Sequence, residues 1–345
     1  MKKLIKLLGI IAIVAIIGLS FTACDDGNGN ENGNGNGVNG GREPSITVIA
    51  GSGTSGNADG QGTAAQFNMP CGIAIDTAGN LYVADYSNHR IRKITSAGNV
   101  TTLAGSTQGF TDGQGTTARF YNPTDIAIDT AGNLYVTDQG NHRIRKITPS
   151  GNVTTFAGNG TNGSVDGQGT AAQIGYPRGI TIDTTGNLYV TSNTRIRKIT
   201  SAGNVTTLAG SGTEGFADGQ GTAAQFKGCF GIVVDATGNL YVVDSYNYRI
   251  RKITPTGNVT TFAGSSEAGV IDGQGTAAQF SYPMLAAIDP SGNIFVSDSS
   301  RIRKISAAGN VTMYAQIVNP TGITLDTAGN IYVTQENHRI SKITP

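Results

Sequence analysis

The sequence lacks tryptophan, holds only three cysteines and three histidines, and carries almost no net charge over its 345 residues. The 24 lysines and arginines nearly balance the 23 aspartates and glutamates, and 21 against 23 remain without residues 1–23. This balance argues against a nucleic-acid partner, which needs a broad positive surface. The repeated region also contains no Gly-x-Ser-x-Gly motif and no clustered pair of acids, so no catalytic constellation is visible.

Glycine, in contrast, is abundant, with 50 residues, about twice its ordinary usage. Much of it belongs to one pattern written six times: P-x-G-I-x-x-D-x-x-G-N-L-Y-V, then R-I-R-K-I-T-x-x-G-N-V-T-T-x-A-G. The first Gly-Asn pair of each copy begins at Gly79, Gly132, Gly186, Gly238, Gly292 and Gly329. A repeat this short cannot bury its own faces, so it must stack on its copies.

Each copy predicts four short strands, which in the first copy are residues 72–76, 81–84, 90–94 and 100–103. Apolar residues on both faces of the first two strands are typical of a sheet packed between two neighbours. Six such copies predict an all-β fold, a six-bladed β-propeller with four-stranded antiparallel blades. The chain ends after the third strand of the sixth copy, and residues 46–51 match residues 100–105. We therefore expect the N-terminal strand to close the last blade.

The run Asn-Leu-Tyr-Val-Ala-Asp followed by Asn88-His89-Arg90-Ile91 is similar to NHL repeats, and copies recur in phase at residues 141–144 and 337–340. The resemblance covers about residues 45–345. The third and fifth copies depart from it, because their loops are shorter and lack the histidine. Some NHL proteins bind RNA, but that function needs a basic face and a cytoplasmic location, and the sequence favours neither.

The N-terminal segment has the features of an export signal. Three lysines precede an apolar stretch, residues 7–21, that is short for a membrane-spanning helix. The following Thr22-Ala23-Cys24 resembles a bacterial lipobox, although Phe21 departs from it. The resemblance implies a signal peptide over residues 1–23, lipid on Cys24 and a location in the bacterial cell envelope, outside the cytoplasm. The alternative is an uncleaved short anchor.

Between this segment and the repeats, residues 24–44 are rich in Gly and Asn and predict a flexible tether. Residues 45–345 then form the NHL-type propeller domain. We expect the tether to hold the propeller off a membrane surface to which lipid on Cys24 attaches it.

Five links between copies carry Asp-Gly-Gln-Gly-Thr-x-Ala-x-Phe or a near variant, beginning at Asp59, Asp112, Asp166, Asp218 and Asp272. One acid per loop is too few for calcium, which takes six to eight oxygen ligands. We instead expect an Asp-Gly turn, then one helical turn that starts at the threonine, with Ala-Ala and the Phe plugging the gap between blades. The sequence thus predicts no metal and no cofactor.

Other repeated polar groups have structural interpretations. The Arg-x-Arg-Lys run (Arg90, Arg92 and Lys93 in the first copy) predicts a solvated outer face, and Asp76 and its counterparts predict a scaffold role. The three histidines, His89, His142 and His338, share one repeat position, so we expect a hydrogen bond within the loop. Cys71 and Cys229 fall in opposite blades, too far apart for a disulfide, and are interpreted as small buried apolar residues.

A binding site is expected where the copies differ in chemistry. The position after the strand-one proline holds Cys71, Thr124, Arg178, Phe230, Met284 and Thr321, and the next position holds glycine except at Asp125 and Leu285. These positions line the mouth of the central channel. We therefore select as ligand-binding candidates Thr124, Asp125, Arg178, Phe230, Met284 and Thr321. The alternative is that Asp125 and Arg178 form an ion pair that only satisfies itself.

These features predict a membrane-anchored, extracytoplasmic binding or scaffold lipoprotein. Its propeller would present the channel mouth to a protein, peptide, glycan or small ligand. The alternative is a propeller enzyme of the lactonase or lyase type with a metal at the axis. Such chemistry needs several acids, histidines or asparagines converging on one point, and the predicted mouth offers one acid and no histidine.

Overall fold

The computed structural model describes residues 43–345, and these form six β-sheets. The predicted signal peptide, Cys24 and nearly all of the predicted tether lie outside the described residues. Within residues 43–345, no helix is long and apolar enough to cross a membrane.

The strands follow one another in six groups. Strand β1 (Ser45–Ala50) comes first. Blade one has β2 (Gly60–Gln61), β3 (Pro70–Ile75), β4 (Leu81–Asp85), β5 (Arg90–Ile94) and β6 (Asn99–Gly105). Blade two has β7 (Gly113–Gln114), β8 (Pro123–Ile128), β9 (Leu134–Asp138), β10 (Arg143–Ile147) and β11 (Asn152–Ala157). Blade three has β12 (Gly167–Gln168), β13 (Pro177–Ile182), β14 (Leu188–Ser192), β15 (Arg195–Ile199) and β16 (Asn204–Ala209).

Blades four and five repeat this order, and blade six is shorter. Blade four has β17 (Gly219–Gln220), β18 (Cys229–Val234), β19 (Leu240–Asp244), β20 (Arg249–Ile253) and β21 (Asn258–Ala263). Blade five has β22 (Gly273–Gln274), β23 (Pro283–Ile288), β24 (Ile294–Asp298), β25 (Arg301–Ile305) and β26 (Asn310–Gln316). Blade six has β27 (Pro320–Leu325), β28 (Ile331–Gln335) and β29 (Arg339–Thr344), and its fourth strand is β1.

The blades close into a ring. The innermost strand of each blade contacts the innermost strands of both neighbours, and β27 of blade six contacts β3 of blade one. Strand β1 pairs antiparallel with β29, from Ser45 opposite Thr344 to Ala50 opposite Ile340. The predicted six-bladed propeller and its closure by the N-terminal strand are therefore confirmed. The predicted four strands per blade omit the two-residue strand that the inserts add to five blades.

Apolar contacts between blades explain why the ring is stable. The second strand of blade one, Leu81–Asp85, is buried at every position, as a sheet packed on both faces requires. The insert phenylalanine Phe120 is fully buried among Tyr82 and Ala104 of blade one and Val136 of blade two. The expectation that the inserts plug the gaps between blades is confirmed at this position.

Each insert forms a short 3-10 turn after its two-residue strand. The first of these turns starts at glycine and not at threonine, because Gln61 before it pairs with Asn99 on the outer strand of blade one. The five insert turns are Gly62–Ala64, Gly115–Thr117, Gly169–Ala171, Gly221–Ala223 and Gly275–Ala277. Three further 3-10 turns join second and third strands, at Tyr86–Asn88, Gln139–Asn141 and Ser245–Asn247.

The aspartate in the turn between the first and second strands has the expected scaffold role. One carboxylate oxygen of Asp76 accepts the backbone N–H groups of Ala78 and Asn80, at 3.0 and 2.8 Å. The other accepts the Asn80 side chain and the Tyr82 hydroxyl. These hydrogen bonds lower the pKa of Asp76 although its partial burial alone would raise it.

Candidate functional site

The first strands of neighbouring blades approach one another closely at the axis. This close approach explains why glycine is common at the second position after the strand-one proline. A Cβ atom on Gly72 would lie 2.7 Å from the carbonyl oxygen of Thr124 in the next blade, and one on Gly231 would lie 2.9 Å from Cα of Leu285. Distances this short are clashes with backbone, so glycine is required for the blades to meet there. The ring of first strands thus forms a narrow, rigid collar at the channel mouth.

Hydroxyl groups fix this collar from the second strands. The hydroxyl of Thr137 donates to the carbonyl of Arg178 in the next blade, at 2.8 Å, and that of Thr191 donates to the carbonyl of Phe230, also at 2.8 Å. The hydroxyl of Ser297 donates to the carbonyl of Thr321, at 2.7 Å. Because these bonds cross from blade to blade, they hold the backbone of the mouth residues in place before any ligand arrives.

The channel mouth contains a cavity of about 280 Å³. Five of the six sequence candidates line it, namely Thr124, Arg178, Phe230, Met284 and Thr321. The other lining residues are Met69, Pro70, Cys71, Tyr86, Gln139, Leu285 and Glu336. Most of these side chains are apolar, and only two are charged. The mouth is therefore a mainly apolar pocket with a few polar groups, a common form of small-molecule site.

Arg178 is the cation of this pocket, and it lies on an aromatic surface. Its guanidinium carbon is 4.1 Å from the centre of the Phe230 ring, a cation–π contact. Tyr246 and Tyr282 pack around the same ring at 6.1 and 6.2 Å between centroids. Within residues 43–345, Nη1 of Arg178 is buried and has no hydrogen-bond partner. An oriented guanidinium with a free donor is suited to bind an anionic or carbonyl group of a ligand.

Asp125 is the sequence candidate that the structure places outside the mouth. It lines the channel below, a cavity of about 240 Å³. Its carboxylate accepts the backbone N–H of Ile126 at 2.9 Å and that of Ile180 in the next blade at 3.0 Å. In the described part of the chain it makes no ion pair with Arg178, so the alternative of a self-satisfied pair is wrong. Burial raises the pKa of Asp125 to about 7, against the effect of these two N–H donors.

The two threonine candidates hold the collar together. Oγ1 of Thr124 lies 3.0 Å from the carbonyl oxygen of Arg178 and 2.8 Å from Oγ1 of Thr137. Oγ1 of Thr321 donates to the carbonyl of Pro70 at 2.9 Å and lies 2.7 Å from Oγ1 of Thr334. Since both hydroxyls already serve the neighbouring blade, they line the pocket without offering free donors to a ligand.

The interpretation of the two cysteines is correct for one of them. Cys229 is buried in the apolar contact between blades three and four, and it is not in a disulfide. Cys71 is also free but lines the mouth and is partly exposed. Burial, and then the charge of Asp125, raises the pKa of the Cys71 thiol to about 12. The thiol is therefore protonated at neutral pH and is a poor nucleophile.

Sequence reasoning missed Tyr86, Gln139 and Glu336, which line the mouth from the loops after the second strands. These loops also break the repeat, because tyrosine, glutamine and glutamate stand at one position in blades one, two and six. Comparing the loops as the first strands were compared would have found them. Blades three and six face each other across the ring, so Arg178 and Glu336 give the pocket a positive side and a negative side.

The Arg-x-Arg-Lys run was expected to form a solvated outer face. This expectation is wrong for its second arginine, which is buried. Arg92 is fully buried, and its Nη1 lies 2.8 Å from buried Asp85 while its Nη2 lies 2.7 Å from Asp59 of the insert. We call this group of one arginine and two aspartates a clasp. The same clasp recurs around Arg145, Arg251 and Arg303. The insert aspartate is thus committed to arginine, and no group of three potential metal-binding side chains occurs in residues 43–345.

The histidines make hydrogen bonds between blades, not within the loop as expected. Nδ1 of His89 accepts the backbone N–H of Asn122 in blade two at 3.2 Å, and Nδ1 of His142 accepts that of Tyr176 in blade three at 3.1 Å. Nδ1 of His338 accepts the N–H of Met69 in blade one, also at 3.1 Å. These bonds connect each loop to the next blade at the rim of the mouth.

Comparison with known proteins agrees with the repeat pattern. A model described as NHL repeat matches residues 67–94 and 120–147, and one described as Teneurin NHL domain matches residues 157–218. The chain is 31% identical over 277 residues to Protein SUPPRESSOR OF QUENCHING 1, chloroplastic, of Arabidopsis thaliana. This match covers 74% of the chain and 26% of that protein, so the chain spans about a quarter of its relative.

Solved structures share the fold at low sequence identity. An auxiliary nutrient binding protein from Bacteroides thetaiotaomicron is similar with a TM-score of 0.65 and 15% identity, over 87% of this chain and 76% of that one. A streptogramin B lyase is similar with a TM-score of 0.57 and 14% identity, over 87% of this chain and 97% of that one. At such identities the likeness shows the fold alone. The chain is a six-bladed β-propeller that carries NHL repeats.

Proposed function

We propose that the protein is a non-enzymatic binding protein whose ligand enters the channel mouth. The observation that carries this proposal is Arg178, which lines the apolar pocket, is stacked on Phe230 and has a buried Nη1 without a hydrogen-bond partner in the described chain. A ligand that fits has an anionic or carbonyl group for Arg178 and an apolar body for Phe230 and Met284. Glu336 on the opposite side favours a second, cationic group. A short peptide has all three features.

The likeness to a nutrient binding propeller, with a TM-score of 0.65, supports a binding role, whereas the likeness to a lyase, with a TM-score of 0.57 at similar identity, supports the enzymatic alternative. The residues favour binding. The mouth contains one thiol, whose raised pKa keeps it protonated, and one exposed carboxylate, that of Glu336. General acid–base or metal-assisted chemistry needs at least two such groups acting on one point.

The binding proposal is tested with short peptides as probes. The full chain is screened against dipeptides and tripeptides, with neutral oligosaccharides as the alternative class, and affinities are measured by calorimetry. Arg178→Ala should weaken the best peptide by about tenfold, as loss of a charge-assisted hydrogen bond does. The matched control is Arg301→Ala, because Arg301 does not line the mouth. Equal effects of the two substitutions, or tight binding of neutral sugars alone, would contradict the proposed site.

We also propose that the protein acts from a membrane surface outside the cytoplasm, as the sequence before the propeller suggests. The lipobox-like Thr22-Ala23-Cys24 and the Gly/Asn-rich residues 24–44 support this location. Cys24→Ser should move the protein from the membrane pellet to the soluble fraction without changing its melting temperature. Sedimentation of the Cys24→Ser protein with membranes after a salt wash would contradict lipid anchoring.

A further inference from the structure

The outer edge of blade six differs from the outer edges of the other five blades. In blades one to five a two-residue Gly-Gln strand of the insert pairs with the outermost long strand. We call this strand the edge cap. Within residues 43–345 blade six has no edge cap, because the link over residues 314–319 lacks the insert. Its outermost strand is β1, the strand that closes the ring.

Blade one shows what the edge cap covers. Gly60 and Gln61 pair with Val100 and Asn99 of β6, and a carboxylate oxygen of Asp59 accepts the backbone N–H of Thr102 at 3.1 Å. The backbone groups of Val100 and Thr102 that point away from the blade are thereby occupied. The side chain of Val100 is fully buried in a cluster with Ala65 and Phe67 of the same insert.

The equivalent positions of β1 are bare. Ile46 and Val48 correspond to Val100 and Thr102, and 42% and 38% of their surfaces are exposed. By the same register, the outward N–H and C=O groups of Ile46 and Val48 have no partner in the described chain. The segment 45–49 contains no charged residue and no proline, which are the usual protection of an exposed edge. Strand β1 can therefore accept another strand.

The sequence of this edge is complementary to itself. If two copies of β1 pair antiparallel about a two-fold axis at Thr47, Ile46 of each copy faces Val48 of the other. Both pairs then join apolar, β-branched residues on the same face of the sheet, which is a favourable cross-strand combination. No like charges meet, because residues 45–49 are uncharged. Both copies also offer their unpaired N–H and C=O groups at these two positions.

We propose that two copies of the chain associate through the bare edges of their sixth blades, in antiparallel register centred on Thr47. The two four-stranded blades then form one continuous eight-stranded sheet, and the channel mouths stay open. A single strand pair buries less than the surface of a standard stable interface, so the association is weak in dilute solution. It strengthens when both copies share a surface that raises their local concentration.

Disulfide trapping tests this register. In the proposed pair, Thr47 of one copy lies directly opposite Thr47 of the other, at a non-hydrogen-bonded position whose Cα atoms are about 4.5 Å apart. A cysteine pair can bridge that distance. The full chain with Thr47→Cys should form a covalent dimer under mild oxidation. The matched control is Thr101→Cys, which is also exposed and occupies the equivalent position of the capped edge in blade one.

Adding Val48→Lys to the Thr47→Cys chain should reduce the trapped dimer at least tenfold, because each lysine would face the apolar Ile46 of the other copy and the two lysines would lie diagonally across the two-fold axis. The melting temperature of each variant checks that the fold is kept. Equal trapping at Thr47→Cys and Thr101→Cys, or trapping that Val48→Lys leaves unchanged, would overturn the proposal. A Thr47→Cys chain that is captured in the cell envelope only by a different polypeptide would assign the edge to that partner and overturn it as well.

Discussion

Blade six differs from blade two at the rim of the propeller and shares with it a hydrogen bond to the next blade at the axis. At the rim, Gln335 and Ser341 replace the clasp residues Asp138 and Arg145, and no insert aspartate is present. At the axis, the hydroxyl of Thr334 donates to the carbonyl of Cys71 in blade one, as the hydroxyl of Thr137 in blade two donates to the carbonyl of Arg178 in blade three. The two blades differ at the collar glycine, because blade six has Gly322 where blade two has Asp125. The residues near the axis are therefore constrained by closure of the ring. The clasp residues at the rim depend instead on whether an insert connects the blade to the preceding one.

The loss of all three clasp groups together has a physical reason. Nη1 and Nη2 of Arg145 lie 2.8 and 2.6 Å from Asp138 and Asp112, and also donate to two backbone carbonyls. Removing one member of a buried pair leaves a charge without compensation, which costs more than replacing the whole group by neutral residues. In blade six the hydroxyl of Ser341 donates to Oε1 of Gln335 at 2.6 Å, a neutral pair in the place of the charged one.

Blade three shows an intermediate arrangement. Ser192 replaces the inner aspartate, and Arg197 keeps only the insert aspartate, Asp166, at 2.7 Å. Burial lowers the pKa of Arg197, while the charge of Asp166 opposes this shift. The hydroxyl of Ser192 instead donates to the carbonyl of Gly175 at 2.7 Å. The chain thus contains a full clasp, a half clasp and a neutral pair within one fold.

The largest effect is expected from removing the strand that makes blade six complete. Deletion of residues 45–51 removes β1, including the fully buried Ala50, and leaves β29 as an unpaired edge. The ring loses its closure, so we expect no cooperative thermal transition and extensive aggregation. Deletion of seven residues at 27–33, ahead of the propeller, is the control. Unchanged melting after loss of residues 45–51 would contradict the closure.

The next largest effect is expected when only one residue of the neutral pair of blade six, its serine, is introduced into blade two. Arg145→Ser should cost about 3–5 kcal/mol of unfolding free energy, because Asp138 stays buried without its cation. Burial already raises the pKa of Asp138 to about 6, and Arg145 counteracts that rise. Denaturant unfolding measures the loss.

The double variant Asp138→Gln with Arg145→Ser reproduces the neutral pair of blade six. It should recover part of the lost stability, although Asp112 and two carbonyl groups still lack the arginine. If the double variant is less stable than Arg145→Ser alone, the clasp is not a unit and the comparison between the blades fails.

A smaller effect is expected at the axis of blade six. A Cβ atom on Gly322 would clash with the carbonyl of Cys71 and lie 2.8 Å from Oγ1 of Thr334. Gly322→Ala should therefore cost about 1–3 kcal/mol, the usual range for overpacking. In Gly56→Ala the three atoms nearest to the new Cβ all belong to the Gln66 side chain, whose amide end can move away, so this control should cost less. Equal losses of stability would show that the axis is no more constrained than the loops.

The fold could be predicted from the sequence because its information is repeated six times. A strand pattern that is ambiguous once, such as residues 46–51, becomes clear when five other copies show its place. The clasp could not be predicted in the same way. Arg92 and Asp59 are 33 positions apart in the sequence, and an arginine on an outer strand looks solvated until the insert is placed over it. Asp125 was placed on the correct strand, but only the backbone N–H donors of Ile126 and Ile180 explain why it lies away from Arg178.

The smallest effect is expected at the histidine that contacts the next blade. This contact occurs in blades one, two and six. His142→Ala removes an acceptor for the backbone N–H of Tyr176 and a ring contact at 4.5 Å, and should cost about 1 kcal/mol. Burial, and then the charge of Arg143, lowers the pKa of His142 in the folded state. The stabilising contribution is therefore complete above the unfolded pKa of about 6.5 and is lost as the pH falls through the lower folded value.

We expect the difference in unfolding free energy between wild type and His142→Ala to be largest near pH 8. It should shrink toward pH 5, where a proton on Nδ1 would face the Tyr176 N–H. Tyr248 occupies the same position in blade four and has no imidazole nitrogen to accept such a bond, so Tyr248→Ala is the control for pH dependence. If the His142→Ala difference stays constant or grows on acidification, the imidazole does not serve as an acceptor. The contact between His142 and Tyr176 would then be one of the rim features that differ from blade to blade, and not one of the contacts that closure of the ring constrains.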